Sequence, residues 1–174
     1  MFLNVVFLQV LWCGAILGAA NEMMMPALAW FVMFFCWHAW FNGHARQDLA
    51  IVLLATPVGF VLDSLWVQLG LLKFSYAIPH PGFAPYWIAM LWAGLALTVN
   101  HSLRWLQSRP LAAAVLCMIS APLSYFAASR LGAAEIIEPL RLYVLLGLSW
   151  AVFIPLLLLF ARSLDKPEMV GRCL

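Results

Sequence analysis

The sequence predicts an all-α fold, a polytopic membrane bundle of about six transmembrane helices. Three observations predict it. Of 174 residues, 66% are hydrophobic and only 9% charged, whereas a soluble domain carries about a quarter charged residues. The apolar residues gather in six segments, each near the ~20 residues that span a bilayer core as helix. Pro26, Pro85, Pro110 and Pro139 stand at or near four segment starts, where a missing N–H costs little. Barrel strands would need only about ten residues and would alternate in polarity. One transmembrane domain over residues 1–174 leaves no room for a separate soluble one.

The first helix is expected at 2–20. Its sequence ends in small residues, as a cleaved signal would, but it lacks a positive n-region and carries Asn4 and Gln9 within the apolar run. A lipoprotein signal would need a small residue before Cys13, and Trp12 stands there. It therefore reads as a retained helix. The second, 24–42, is rich in aromatics and ends near His38. The third, 49–72, holds Asp63 in the middle of "FVLDSLW". The fourth, 86–104, lines up Trp87, Leu91, Gly94, Thr98 and His101 along one stripe. The fifth, 110–129, carries Cys117, Ser120 and Ser124, and the sixth spans 139–161.

Loop charges set the expected orientation. With a cytoplasmic N-terminus, that side receives Arg46, Arg104, Arg109, Arg162, Lys166 and Arg172. The opposite side receives Lys73, Arg130 and Arg141 with Glu22, Glu135 and Glu138. The positive-inside rule then places both termini in the cytoplasm. The connection "KFSYAIPHPGFAPYW", 73–87, reads either as an interfacial loop held by aromatic anchors or as a lid over a cavity. A faint echo accompanies this layout, because the first, third and fifth helices end in "LGAANE", "LGLL" and "LGAAEIIE". Stacked helical hairpins would produce it, and in a chain so rich in Leu and Ala coincidence explains it nearly as well.

Several functional classes are excluded. A net charge of +2 with scattered basic residues offers no nucleic-acid footprint. The four cysteines, Cys13, Cys36, Cys117 and Cys173, form no CxxC and read as free thiols. Gly-rich phosphate loops and nucleophile elbows are absent, and no cofactor is expected. The constellation of His38, His44, His101 and Asp48 is compatible with a metal or a proton shuttle. No HxxxH or HExxH pair fixes ligands on one helical face, so interfacial histidines are the expectation and no metal is assigned.

Asp63 is the principal candidate site. Thr56, Gly59, Asp63, Trp66 and Gly70 recur at three- and four-residue steps and share one helical face. Small residues on that face allow close helix approach, which turns Asp63 into the bundle. An ionised carboxylate at mid-bilayer costs about 2.5–3.5 kcal/mol on insertion scales. Three resolutions remain open: a neutral acid bonded to Thr98, Ser120 or Ser124; an ion pair with Arg141 or Arg130; or a hydrated cavity. We take Asp63 as candidate acid or base, with Trp66, Thr98, Ser120, Ser124 and Arg141 as candidate substrate contacts.

The stretches "APYWIAMLWAGLALTVNHSLRWL" (84–106) and "APLSYFAASRLGA" (121–133) resemble a family of small proteobacterial inner-membrane proteins that bears only a domain-of-unknown-function label. Asn4, Gln9, Trp12 and the Asp63 segment sit in the expected order, so the likeness covers most of the chain. The resemblance implies a multi-pass inner-membrane protein and supplies no catalytic residues. Members of that family are encoded beside enzymes that modify membrane fatty acids, which implies lipid as the substrate class. The expected function is membrane-lipid or fatty-acid modification or handling. The alternatives are a small transporter or channel subunit using Asp63 for a cation or proton, and an assembly protein. Expected partners are membrane lipids, with homo-oligomers or other membrane proteins equally allowed by the packing seams, and no nucleic acid.

Overall fold

The computed structural model describes residues 2–41 and 45–164. Its six helices are α1 (Phe2–Ala20), α2 (Met25–Phe41), α3 (Ala45–Gln68), α4 (Tyr86–Ala96), α5 (Pro110–Arg130) and α6 (Pro139–Leu164). Two short strands, β1 (Leu72–Phe74) and β2 (Ala134–Ile136), and a single 3-10 turn at Arg104–Leu106 complete the described residues. The helices α1, α3, α5 and α6 are long and apolar enough to cross a membrane, while α2 and α4 are shorter. Large apolar side chains remain exposed on their outer faces, Leu53, Leu111 and Val152 among them. Such faces suit lipid rather than water, and they mark a membrane protein.

Packing follows the small and aromatic residues. Phe7 of α1 stacks on Trp30, Phe34 and Trp37 of α2 at centroid distances of 5.1, 5.3 and 4.8 Å. Where α6 crosses α5, a Cβ on Gly147 would stand 2.9 Å from the Met118 carbonyl oxygen. That carbonyl lies one turn before Pro122, which has no N–H to offer it.

One end of the bundle is closed by the strand pair. α3 and α5 finish the same way, in Leu69-Gly70 and Leu131-Gly132, with the glycines at φ 69° and 85°. A left-handed glycine lets the next N–H reach back over the last turn. Leu71 N–H donates to the Trp66 carbonyl and Ala133 N–H to the Ala128 carbonyl, both at 3.0 Å. The strands then pair antiparallel, Leu72 with Ile136, Lys73 with Glu135 and Phe74 with Ala134. Ser75 N–H meets the Ala133 carbonyl and Ile137 N–H the Leu71 carbonyl, each at 2.9 Å. The echo between the third and fifth helix ends is thus a repeated structural unit, helix, left-handed glycine and strand.

The fourth helix differs from expectation. It ends at Ala96 instead of continuing to 104, so the stripe running to Thr98 and His101 is broken. The run Thr-Val-Asn-His-Ser (98–102) is the physical reason, since β-branched residues and side chains that bond nearby backbone disfavour helix. Thr98 Oγ1 donates to the Leu95 carbonyl at 2.6 Å, and the backbone tightens into three-residue turns through Gln107. Side chains take over the freed carbonyls. Asn4 Nδ2 reaches the Leu97 oxygen at 3.4 Å and Gln107 Nε2 the Val99 oxygen at 3.2 Å. Irregular backbone in an apolar bundle survives where protein buries it in this way.

Candidate functional site

Asp63 is built into the seam between α3 and α4. Gly59, one turn earlier on the same face, has no side chain, and the Trp92 indole fills that space; a Cβ there would stand 2.0 Å from Trp92 Cδ2. Trp92 lies 4.7 Å from the Trp150 ring and 5.7 Å from Phe153. So held, its Nε1–H donates to Asp63 Oδ2 at 2.7 Å. The Tyr125 hydroxyl of α5 donates to Oδ1. Asp63 is 1% exposed, and its two oxygens face neutral donors. Of the three resolutions open from sequence, the ion pair with Arg141 or Arg130 does not occur. Arg141 is exposed and bonds Glu138 at 3.4 Å, and the Arg130 guanidinium lies over the Phe126 ring at 6.0 Å.

Asp63, itself buried, lines a cavity of about 500 Å³. Its walls are mostly apolar, with Leu8, Ile88, Leu91, Leu95 and Trp150 among them, and Phe74 and Trp87 line it from the strand end. The 73–87 connection therefore contributes to the cavity through both its ends. Gln9, Ser120 and Leu123 also line it and are exposed, so the cavity opens sideways between α1 and α5. Trp12 Nε1 donates to Ser124 Oγ at 3.1 Å across that opening.

Of the residues singled out from sequence, Asp63, Ser120 and Ser124 meet in this cavity. Trp66 instead packs with Leu71, Leu72, Leu142 and Leu146, and Thr98 turns to its own backbone. Sequence reasoning missed Trp92 and Tyr125. The repeated helix ends held the signal for Tyr125, because Asp63 precedes Gly70 and Tyr125 precedes Gly132 by the same seven positions. Gly59 on the Asp63 face was the signal for a large facing ring.

A second polar cluster occupies the end of the bundle opposite the strands. Asp48, three residues into α3, is 2% exposed. Its Oδ2 lies 2.8 Å from His38 Nε2 of α2 and 3.0 Å from His101 Nε2 in the turns after α4. Asn100 Nδ2 donates to Oδ1 at 2.7 Å, and Gln107 Nε2 donates to Asn100 Oδ1 at 3.1 Å. Next to it, Ser102 Oγ donates to Asn4 Oδ1 at 2.8 Å. The break in the fourth helix is what brings Asn100 and His101 against Asp48. His44 and Cys173, also considered from sequence, lie outside the described residues.

A family model described as "Protein of unknown function (DUF2878)" matches residues 1–156. The chain belongs to this family. The match spans both polar clusters and every helix except the last turns of α6, in agreement with the resemblance to a family of unknown function. No curated protein matches the chain, and no solved structure does.

Proposed function

We propose that this chain is a multi-pass inner-membrane protein, with both termini cytoplasmic, that binds and processes lipid acyl chains in the Asp63 cavity. One observation carries the reading: a cavity with apolar walls and one buried carboxylate in its lining opens between two helices long enough to span a membrane. A lipid enters such a site without leaving the bilayer. Its volume lies within the roughly 300–1,000 Å³ of small-molecule sites. In this reading Asp63 is the acid or base that meets the polar part of the substrate, Trp92 and Tyr125 orient it, and Ser120 and Ser124 contact the substrate near the opening.

The test is a mass-spectrometric comparison of membrane lipids from three strains: one lacking the chain, one with the wild-type protein restored, and one carrying Asp63→Asn at matched folded levels. The expected result is a lipid species that disappears on deletion and returns only with the wild-type protein. Identical lipid profiles in all three would overturn the reading. A second reading, a transporter using Asp63 for a cation or proton, draws on the broken fourth helix and the second buried carboxylate on α3. It predicts Asp63-dependent flux in reconstituted vesicles.

A further inference from the structure

We propose that His38, Asp48 and His101 form a binding site for a divalent first-row transition-metal ion, at the end of the bundle remote from the Asp63 cavity. The inference does not rest on the lipid reading. Asp48 and Asp63 are fifteen residues apart on α3, which is ~22 Å along the axis at ~1.5 Å per residue.

Convergence is the first argument. The three side chains come from α2, α3 and the turns after α4, and their ligand atoms all lie within 4.8 Å of one another. Both imidazole Nε2 atoms are aimed at one carboxylate oxygen, at 2.8 and 3.0 Å. The two rings meet edge to face, 4.5 Å apart with an 87° interplanar angle. Two donors each ~2.1 Å from an ion stand ~3.0 Å apart when they subtend a right angle and ~3.4 Å at the tetrahedral angle. The two carboxylate–imidazole separations already fall close to this range, and the ligand atoms of the two rings lie no more than 4.8 Å apart.

The surroundings supply the second argument. Ligating carboxylates are oriented by outer hydrogen bonds. Here Asn100 holds Asp48 Oδ1 and leaves Oδ2 to the histidines, and Gln107 holds Asn100 in turn. The fourth helix is unwound at this place, and Leu97 and Val99 rely on side chains to satisfy their carbonyls. That departure from helix is what delivers both Asn100 and His101 to the carboxylate.

Donor chemistry selects the ion. Two imidazoles and one carboxylate suit zinc, iron(II), cobalt or manganese, whereas calcium and magnesium prefer all-oxygen shells. Three protein donors leave coordination positions for water or a further ligand. Binding requires an ionised Asp48 and an Nε2 lone pair on each ring, so each neutral imidazole would carry its proton on Nδ1.

The competing account is a metal-free cluster in which both rings donate Nε2–H to Asp48, and the experiment separates the two. The full chain is purified in detergent without a polyhistidine tag, its metal content is measured, and the chelator-stripped protein is titrated with Co²⁺ and with Zn²⁺. The expected result is one ion per chain, with a Co²⁺ d–d spectrum that Zn²⁺ competes away. His101→Gln should abolish it, Asn100→Ala should weaken binding by about tenfold to a hundredfold, and His80→Gln should leave it intact. Folded wild-type protein that neither retains metal nor develops the Co²⁺ spectrum would overturn the proposal without recourse to any variant. So would full-stoichiometry binding in folded His101→Gln and His38→Gln.

Discussion

Gly59→Ala separates two physical effects of opposite sign. On helix propensity alone, replacing a mid-helix glycine by alanine stabilises by about 0.5–1 kcal/mol. In this bundle the added methyl would stand 2.0, 2.2 and 2.4 Å from Trp92 Cδ2, Cε2 and Cγ. Ordinary carbon contacts need about 3.5–4.0 Å, so the indole must withdraw by roughly 1.5 Å. Trp150 and Phe153 stand beside it, which restricts its retreat. Overpacking of this kind costs about 1–3 kcal/mol. Moving the indole also breaks its 2.7 Å bond to Asp63, and an unsatisfied buried acceptor costs about 1–3 kcal/mol more. After the propensity gain, the expected net loss is about 1–5 kcal/mol. Gly94→Ala serves as comparison, since its Cβ would clash only with the terminal Cδ2 of Leu11 at 2.6 Å, with Leu8 Cδ1 in ordinary contact at 3.5 Å, and a single terminal methyl yields more readily than a wedged indole. Denaturation in detergent, followed by tryptophan fluorescence, measures both variants. Gly59→Ala that is as stable as wild type, with unchanged emission, would refute the reasoning.

Tyr125→Phe removes one of the two donors on the Asp63 carboxylate, for an expected loss of about 1–3 kcal/mol. Combined with Asp63→Ala it should lose less than the sum of the single changes in the same denaturation assay, and strict additivity would argue against a shared bond. At the strand end, Gly132→Val places a β-branched residue at φ 85° and should destabilise by about 1–2 kcal/mol, while Gly70→Asn is better tolerated; thermal unfolding of both decides. On the lipid reading, Trp12→Phe removes the hydrogen bond across the cavity opening. A net bond worth about 0.5–1.5 kcal/mol then corresponds to roughly two- to tenfold faster release of a bound fatty acid in stopped-flow fluorescence.

Much of the fold was legible because lipid imposes length and polarity on a helix, and proline marks its start. Pro110 and Pro139 begin α5 and α6, where the sequence puts them. The end of α4 was not legible in the same way. Its apolar run continues past Ala96, and the weak helix preference of residues 98–102 settles into turns with the help of distant contacts, Asn100 and His101 to Asp48 and Ser102 to Asn4. Asp63 announced itself as a charge among apolar residues, and the inward direction of its face followed from Gly59. Its partners did not, because Trp and Tyr on membrane helices ordinarily read as interface anchors. Asp48 was obscured for a different reason. It was named beside His38, His44 and His101, but no ligand spacing on one helix marked the set, and its burial depends on a segment more than fifty positions away.

Synthesis runs from the N-terminus, and the two halves of the repeated unit are made at different times. Asp63 and Tyr125 are 62 positions apart, as are Lys73 and Glu135. At about 5–20 residues per second, roughly 3–12 seconds of translation separate the members of each pair. During that interval α3 and α4 can already meet through Trp92, but the carboxylate lacks its phenol donor and β1 lacks its partner strand. Biogenesis therefore passes through a half-made bundle with an incompletely bonded acid facing inward. The arrival of α5 completes the buried site and, a few residues later, closes the end of the protein.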